Sequence, residues 1–245
     1  MDRMIFVAMT GAKQLMNREA VVAQNLANVS TTGYRAAEGA FRAVPVVGEG
    51  MATRSFVVDS TVGANFASGP LQRTGRDLDV AVHGPGWIAV QTADGEAYTR
   101  DGGLQISPNG VLQIRGGQSV LGDGGPLSIP PDSNISIAGD GTLSATSSSS
   151  PNSVNVIGRI KLVNPDQRSL VRGGDGLFRL ANGSQAPVDP EIRLTAGALE
   201  GSNVNLVEAM ITMISVARQF DLQMQLLSNA QKNEAQASRI LNIQG

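Results

Sequence analysis

The chain has 245 residues and no cysteine, and its 19 basic and 21 acidic side chains give a net charge of −2 at pH 7. This composition excludes a disulfide framework and thiolate metal sites, and it lacks the basic excess with which proteins bind DNA or RNA. Because aromatic residues make up only 4% of the chain, we expect its core to consist of small aliphatic side chains.

A first helix is predicted over residues 3–28, where apolar side chains recur at steps of three and four. The pattern stops at Asn28, and the residues that follow are typical of a turn. We expect Gly33 to have a positive φ at the end of this turn, a conformation that asparagine would also tolerate. The apolar stripe predicted for this helix contains Ile5, Met9, Leu15, Met16, Val22 and Leu26.

The first residues lack the features of a cleaved secretory signal, because their apolar run is soon interrupted by Gln14, Asn17 and Arg18. Elsewhere the sequence contains no run of about 18 or more apolar residues, which a membrane helix would need. We therefore expect neither a cleaved signal nor a membrane helix.

The middle of the chain, residues 34–197, has the pattern of an all-β domain. Short apolar or alternating runs such as 77–82 and 87–91 predict strands. Residues 35–70 show little periodicity and predict an extended arm, and the serine-rich residues 144–153 predict an exposed loop. The Asn-Gly and Asp-Gly pairs that predict tight hairpin turns begin at Asp94, Asn109, Asp140, Asp175 and Asn182.

A second helix is predicted from Ser202 to about Leu241, with Ser202 or Asn203 as its N-terminal cap. About forty helical residues would span roughly 60 Å, which exceeds the width of the β domain, so the apolar stripe needs a further surface. The stripes of the two helices could pair within one chain or meet helices of neighbouring chains, and the spacing favours neither. The second stripe contains Leu206, Met210, Met213, Phe220, Met224, Leu227 and Leu241.

Signals for catalysis are weak in this sequence. His83 has no second histidine or cysteine to act with, so we interpret it as a loop or strand-end residue. Aspartates near strand ends could form a catalytic pair, but most of them precede glycine, where hydrogen bonds within the turn explain them. The Asp-x-Asp-x-Asp-Gly series of a calcium loop is missing. We therefore predict no catalytic residue, no metal site and no cofactor.

Signature-like segments occur at both ends and in the middle of the chain. They are residues 25–34, residues 76–82 with Gly86 and Trp87, residues 98–102, and residues 199–205. In this order they resemble the N-terminal signature, the segment near the start of the β domain, the strand and turn that follow it, and the lead into the C-terminal helix of bacterial flagellar rod and hook proteins. The motif and turn positions that match are Asn25, Leu26, Ala27, Asn28, Gly33, Tyr34, Ser202, Asn203 and Val204.

The resemblance implies an axial structural protein and not an enzyme. In that family the terminal helices of many subunits pack around a central channel, and the β domain lies outside them. The resemblance is greatest to the proximal rod proteins, which implies a place in the basal-body rod of the periplasmic space. It also implies export by the flagellar type III apparatus, with other copies and other rod proteins as partners and without nucleic acid or membrane insertion.

The predicted fold class is α+β, with an all-β domain of short strands and hairpins between terminal helices that form a coiled-coil-like core. The predicted domains are the N-terminal helix and turn (1–33), the extended arm (34–75), the β domain (76–197) and the C-terminal helix (198–245). The predicted function is a rod subunit that polymerises through its terminal helices and transmits torque. The alternative is a secreted carbohydrate-binding or adhesive β module with helical stalks, which would need exposed aromatic side chains.

Overall fold

The computed structural model describes residues 2–45, 55–147 and 153–242, and it describes their side chains except at 2–7, 41, 55–62, 234 and 237–242. Helices near both ends flank a β-rich region, which is the α+β arrangement that the sequence predicts. The chain groups into two units, and the predicted arm of residues 34–75 is divided between them. Unit 1 contains Met1–Val29, Ala37–Asn65 and Val204–Gly245, and unit 2 contains Ser30–Ala36 and Phe66–Asn203.

The described residues of unit 1 form two helices and a hairpin. Helix α1 packs against helix α2 and against the antiparallel strands β1 and β2, which pair from Ala37 opposite Ala64 to Pro45 opposite Ser55. Part of the predicted extended arm is therefore a paired hairpin. Among the described residues, no helix combines the length and the hydropathy needed to cross a membrane. The elements are α1 Asp2–Ala27, β1 Ala37–Pro45, β2 Ser55–Ala64 and α2 Leu206–Asn242.

The described residues of unit 2 form short strands and a 3-10 turn, Gln167–Ser169. Its first strands are β3 Leu71–Arg73, β4 Val80–His83, β5 Trp87–Thr92, β6 Gly95–Thr99, β7 Leu104–Ile106, β8 Leu112–Ile114, β9 Ser119–Gly122 and β10 Gly125–Pro126. The later strands are β11 Ser133–Ile137, β12 Thr142–Ser147, β13 Val154–Arg159, β14 Leu162–Val163, β15 Leu170–Arg172, β16 Phe178–Leu180, β17 Arg193–Ala196 and β18 Ala198–Glu200.

The largest sheet of unit 2 runs in the order β15-β16-β6-β5-β9-β8-β7, with β10 paired to β9 and β14 paired to β5. A second sheet has the order β11-β12-β13, and two further pairs join β4 to β17 and β3 to β18. These last two pairs bring strands from the two ends of unit 2 together, and they place Glu200 opposite Leu71.

The core of unit 2 is aliphatic, as the composition predicts. Branched side chains from many short strands fill it, since no single short strand can bury enough apolar surface alone. Side chains with no exposed surface include Val80, Ile88, Val90, Leu104, Leu143 and Ile160.

Four of the five predicted hairpin turns are confirmed, those that begin at Asp94, Asn109, Asp140 and Asp175. The prediction is wrong for Asn182, because the turn there follows β16 and the next strand, β17, pairs with β4. The glycines of all five Asn-Gly and Asp-Gly pairs have positive φ, as in Gly141 at 87° between β11 and β12. The prediction of an exposed loop over residues 144–153 is wrong in its first part, because Ser144–Ser147 belong to strand β12. There Leu143 and Ala145 alternate into the core, which outweighs the polar composition of the segment. Residues 148–152 lie outside the described residues.

Candidate functional site

The two terminal helices pack against each other in unit 1. Val216 of α2 is 1% exposed, and Ala12 and Val22 of α1 are buried. The side-chain amide of Gln223 donates to the carbonyl of Ala8 across the pair at 3.1 Å. A Cβ at Gly11 would lie only 3.2 Å from the same amide nitrogen, so the glycine permits this close approach. One apolar face of α2 is thus covered within the chain.

The residues predicted for the α2 stripe occupy two different environments. Met213, Phe220 and Leu227 are half-buried, whereas Leu206, Met210 and Met224 are exposed. The covered face is centred on Val216 and is turned by roughly 60–70° about the helix axis from the predicted stripe, at about 100° per residue. Of the α1 stripe, Val22 is buried, Leu15 and Leu26 are half-buried, and Met9 and Met16 are exposed. The side chains of Ile5 and Leu241 are not among those that the structure describes.

An apolar surface remains open on the first turns of α2. Val207 is 64% exposed, Ile211 63% and Ile214 55%. Large apolar side chains exposed together within three helical turns are typical of surfaces that bind another protein. We call this surface the α2 patch, and its residues are Leu206, Val207, Met210, Ile211 and Ile214.

The end of α1 is held by asparagines. Asn25 accepts from the backbone N–H of Ala37 at 2.7 Å and donates to its carbonyl at 2.9 Å, so its side chain pairs with β1 as a strand would. The side chain of Asn28 donates to the carbonyl of Gln24 at 2.8 Å, one turn earlier. Ala27 is the last helical residue. The signature residues at this end therefore terminate the helix and attach it to the hairpin.

Gly33 has the positive φ that the sequence predicts, 68°. Its N–H donates to the carbonyl of Glu200 at 2.7 Å. A Cβ at this position would lie 2.3 Å from the carbonyl carbon of Arg100 and 2.4 Å from the nitrogen of Asp101. Gly33 thus meets two requirements at once, a left-handed backbone and a close backbone approach.

A buried ion cluster lies beside Gly33 in unit 2. Glu200 accepts from Arg35 at 2.8 Å through Oε1 and from Arg100 at 3.0 Å through Oε2. Oε1 also accepts from the backbone N–H of Gly69 at 2.9 Å. All three charged side chains are at least 97% buried, with exposures of 0%, 1% and 3%. Burial lowers the pKa of Arg100, and the charge of Glu200 opposes that effect.

Aromatic rings complete the surroundings of this cluster. The guanidinium carbons of Arg100 and Arg35 lie 5.6 and 6.0 Å from the ring centre of Trp87, within cation–π range. Arg172 lies 4.8 Å from the ring centre of Tyr34 and 5.0 Å from that of Phe178, and it donates to the carbonyl of Arg35. The segment after α1 is therefore fixed to the sheet by charge and by ring contacts.

This cluster has the properties of a structural site. The only carboxylate within it directs both oxygens to protein donors and is buried, so it offers no open position for a ligand. The described residues contain no group of three or more His, Cys, Asp or Glu side chains that could hold a metal ion. His83 is the exposed last residue of β4, as the sequence predicts.

The helix cap differs from the prediction. Asn205 caps α2, because its side-chain oxygen accepts from the N–H of Val207 at 3.1 Å and of Glu208 at 3.3 Å. Ser202 and Asn203 lie before the helix, where the side chain of Asn203 binds other parts of the chain. The spacing of Asn205 and Glu208 is that of a capping box and is the signal that identifies the cap in the sequence.

The buried arginines and Glu200 were not predicted as site residues. Glu200 and Arg100 stand in the signature segments, but the pairing of Arg35 with Glu200 joins residues 165 positions apart. No periodic pattern reports such a contact. The signal that was available is Glu200, a charged residue that directly follows Ala198 and Leu199, because a charge within a buried strand needs a partner.

Comparison with known proteins gives consistent matches along the chain. Three protein families match: "Flagella basal body rod protein" over residues 5–35, "Flagellar hook protein FlgE/F/G D1 domain" over 81–145, and "Flagellar basal body rod FlgEFG protein C-terminal" over 195–240. The chain is 47% identical to the flagellar basal-body rod protein FlgF of Salmonella typhimurium, over 99% of this chain and 100% of that protein. The FlgF protein of Escherichia coli K12 gives the same identity and coverage. The FlgF protein of Caulobacter vibrioides is 32% identical over 94% of each chain.

Proposed function

The chain belongs to the flagellar basal-body rod protein family, and we propose that it is a structural subunit of the rod that polymerises through its terminal helices. Its role is mechanical and not enzymatic, since the family consists of structural proteins. The alternative of a carbohydrate-binding or adhesive module is not favoured, because the similarity to rod proteins spans 99% of the chain.

The α2 patch is the observation that supports polymerisation through the helices. Within the chain, α1 covers the face of α2 that contains Val216, and the patch is left in solvent. Burying each of its large aliphatic side chains would contribute roughly 1.5–3 kcal/mol. A contact repeated between every pair of neighbours would hold subunits in a stiff assembly, because packed interiors deform little.

We propose that the neighbours are other copies of this chain and other rod proteins, with the helices forming a coiled-coil-like core between them. Met9 and Met16 of α1 and Met224 of α2 are also exposed and would extend the contact surface. Methionine suits contacts with more than one partner because its side chain is flexible and polarizable. The basal body is the proposed location, with the rod in the periplasmic space and export by the flagellar type III apparatus.

The test is complementation of a strain that lacks its own protein. Ile211→Lys and Ile214→Lys place a charge on the α2 patch, and we expect them to abolish swimming while export continues. The matched control is Ser215→Lys, an exposed position of the same helix outside the patch. Normal swimming of both isoleucine variants would contradict polymerisation through this face. A loss of export in these variants would instead assign the defect to an earlier step.

A further inference from the structure

The chain passes between unit 1 and unit 2 at four points, after Val29, after Ala36, after Asn65 and after Asn203. On the unit 2 side the first of these points is marked by Ser30, and the other three are marked by Ala36, Phe66 and Asn203. Connecting segments of this kind have backbone N–H and C=O groups that no regular ladder satisfies, so they need other hydrogen-bond partners.

Asn203 supplies such partners at the last three of these crossings, with its side chain near Ala36 and Phe66 and with its backbone at its own position. The Oδ1 atom of Asn203 accepts from the N–H of Ala36 at 2.7 Å, and its Nδ2 donates to the carbonyl of Ala67 at 2.9 Å. The backbone N–H of Asn203 donates to the carbonyl of Tyr34 at 3.3 Å. A primary amide offers an acceptor and a donor on two separate atoms, which a carboxylate or an alkyl group at this position would not do.

We propose that Asn203 is a positioning residue that ties three of the four crossings, those after Ala36, Asn65 and Asn203, into a single connection on unit 2. The neighbouring contacts act in the same sense. The side chain of Glu200 accepts from the N–H of Gly69, and its backbone carbonyl accepts from the N–H of Gly33. The chain is therefore also held within three residues of Ala67 and of Ala36. Ordering these segments costs conformational entropy, and the hydrogen bonds that converge on Asn203 and Glu200 offset this cost.

The link to assembly rests on the proposed function, whereas the tie itself does not. In a rod subunit, load would pass between the helices and the β domain through these connections. Three segments of the chain that are held by one residue would share that load, and none of them could be displaced without the others. Loss of the tie would allow each connection to move independently and would make the subunit more compliant.

The test measures amide hydrogen exchange in the full-length chain. Asn203→Ala removes both side-chain bonds, and we expect the amide of Ala36 to exchange roughly two- to tenfold faster. Exchange in the core strand β5 and the fluorescence of Trp87 should stay unchanged. Asn203→Asp keeps an acceptor for Ala36 but lacks the donor to Ala67, so it should loosen residues 66–69 and leave Ala36 protected. Asn155→Ala, at an exposed position of β13, is the matched control.

Unchanged exchange at Ala36 in Asn203→Ala would overturn the tie, and so would equal effects of alanine and aspartate. If Asn203→Ala does not fold, Asn203→Asp alone is the test. Faster exchange in residues 66–69 of that variant would then support the tie, and unchanged exchange there would overturn it. Swimming in a viscous medium is the second readout, and we expect Asn203→Ala to slow it at normal export. If the amides near the crossings exchange faster in Asn203→Ala but the cells swim like the wild type, the mechanical role of Asn203 is overturned. Failure of the α2 patch variants to affect swimming would bear on the proposed function alone.

Discussion

At the scale of single residues, Gly33 carries more constraints than its turn sequence indicates. A positive φ alone would admit asparagine, as the sequence predicts. The structure corrects this expectation, because the position that any Cβ would take lies 2.3 Å from the backbone of Arg100. Gly75 has nearly the same φ, 70°, but among the described residues no neighbouring atom lies within 4 Å of its Cβ position. The two glycines therefore separate backbone strain from steric overlap.

We expect Gly75→Ala to lower the free energy of unfolding by about 1–2 kcal/mol, the strain of a left-handed residue. Gly33→Ala should lower it by a further 1–3 kcal/mol or so, because the Cβ meets backbone atoms that cannot rotate away. Urea unfolding followed by the fluorescence of Trp87, the single tryptophan, measures both. An equal loss of unfolding free energy in the two variants would show that the close approach of Gly33 to Arg100 is not constraining. We also expect Gly33→Asn to be at least as destabilising as Gly33→Ala.

Tyr98 gives unit 2 a dependence on alkaline pH. Burial raises the pKa of Tyr98 to about 12, against the lowering effect of the hydrogen bond from the N–H of Ala186. Since the folded state prefers the neutral phenol, this contribution to stability is complete below pH 10 and is lost as the pH rises towards about 12. In a Tyr34→Phe variant, Tyr98 is the remaining tyrosine, and absorbance at the phenolate band should show a single titration step near pH 12. A step at the ordinary pKa of tyrosine would contradict the buried phenol.

At the scale of elements, the cap of α2 can be tested apart from its packing. Asn205→Ala removes the acceptor for Val207 and Glu208, and we expect a loss of about 0.5–2 kcal/mol in the thermal unfolding of helical structure. Asn205→Asp should retain the cap, because a carboxylate accepts the same bonds and suits the helix dipole. Circular dichroism checks both. A loss in the aspartate variant as large as in the alanine variant would mean that Asn205 acts in another way.

Helix α2 also shows why a single apolar stripe is an incomplete description of a helix. Its first turns are apolar around most of the circumference, so counting steps of three and four finds more than one acceptable stripe. The chain covers the face with Val216 and leaves the α2 patch open. Which face meets α1 is decided by close contacts such as Gln223 with Ala8, and these depend on the partner helix.

At the scale of the whole molecule, we expect removal of residues 228–245 to abolish swimming and leave unit 2 folded. The deletion takes away the last turns of α2, and every subunit of an assembly would lose the same contacts. Unit 2 ends at Asn203 and keeps its core, so the fluorescence of Trp87 and its urea midpoint should match the intact chain. A chain lacking only residues 243–245 is the control. Normal swimming of the longer deletion would contradict a role of this helix end in assembly.

The sequence by itself determined the features that depend on neighbouring residues. Apolar steps of three and four located both helices, and Asn-Gly and Asp-Gly pairs located hairpin turns, because each signal reflects chemistry within a few positions. The family signatures determined the function in the same way, since they are contiguous segments. The tertiary structure alone decided the pairing of β4 with β17 and of Arg35 with Glu200 across 165 positions. Such contacts form when distant segments fill a shared core, and the free energy of burial that selects them belongs to the folded arrangement.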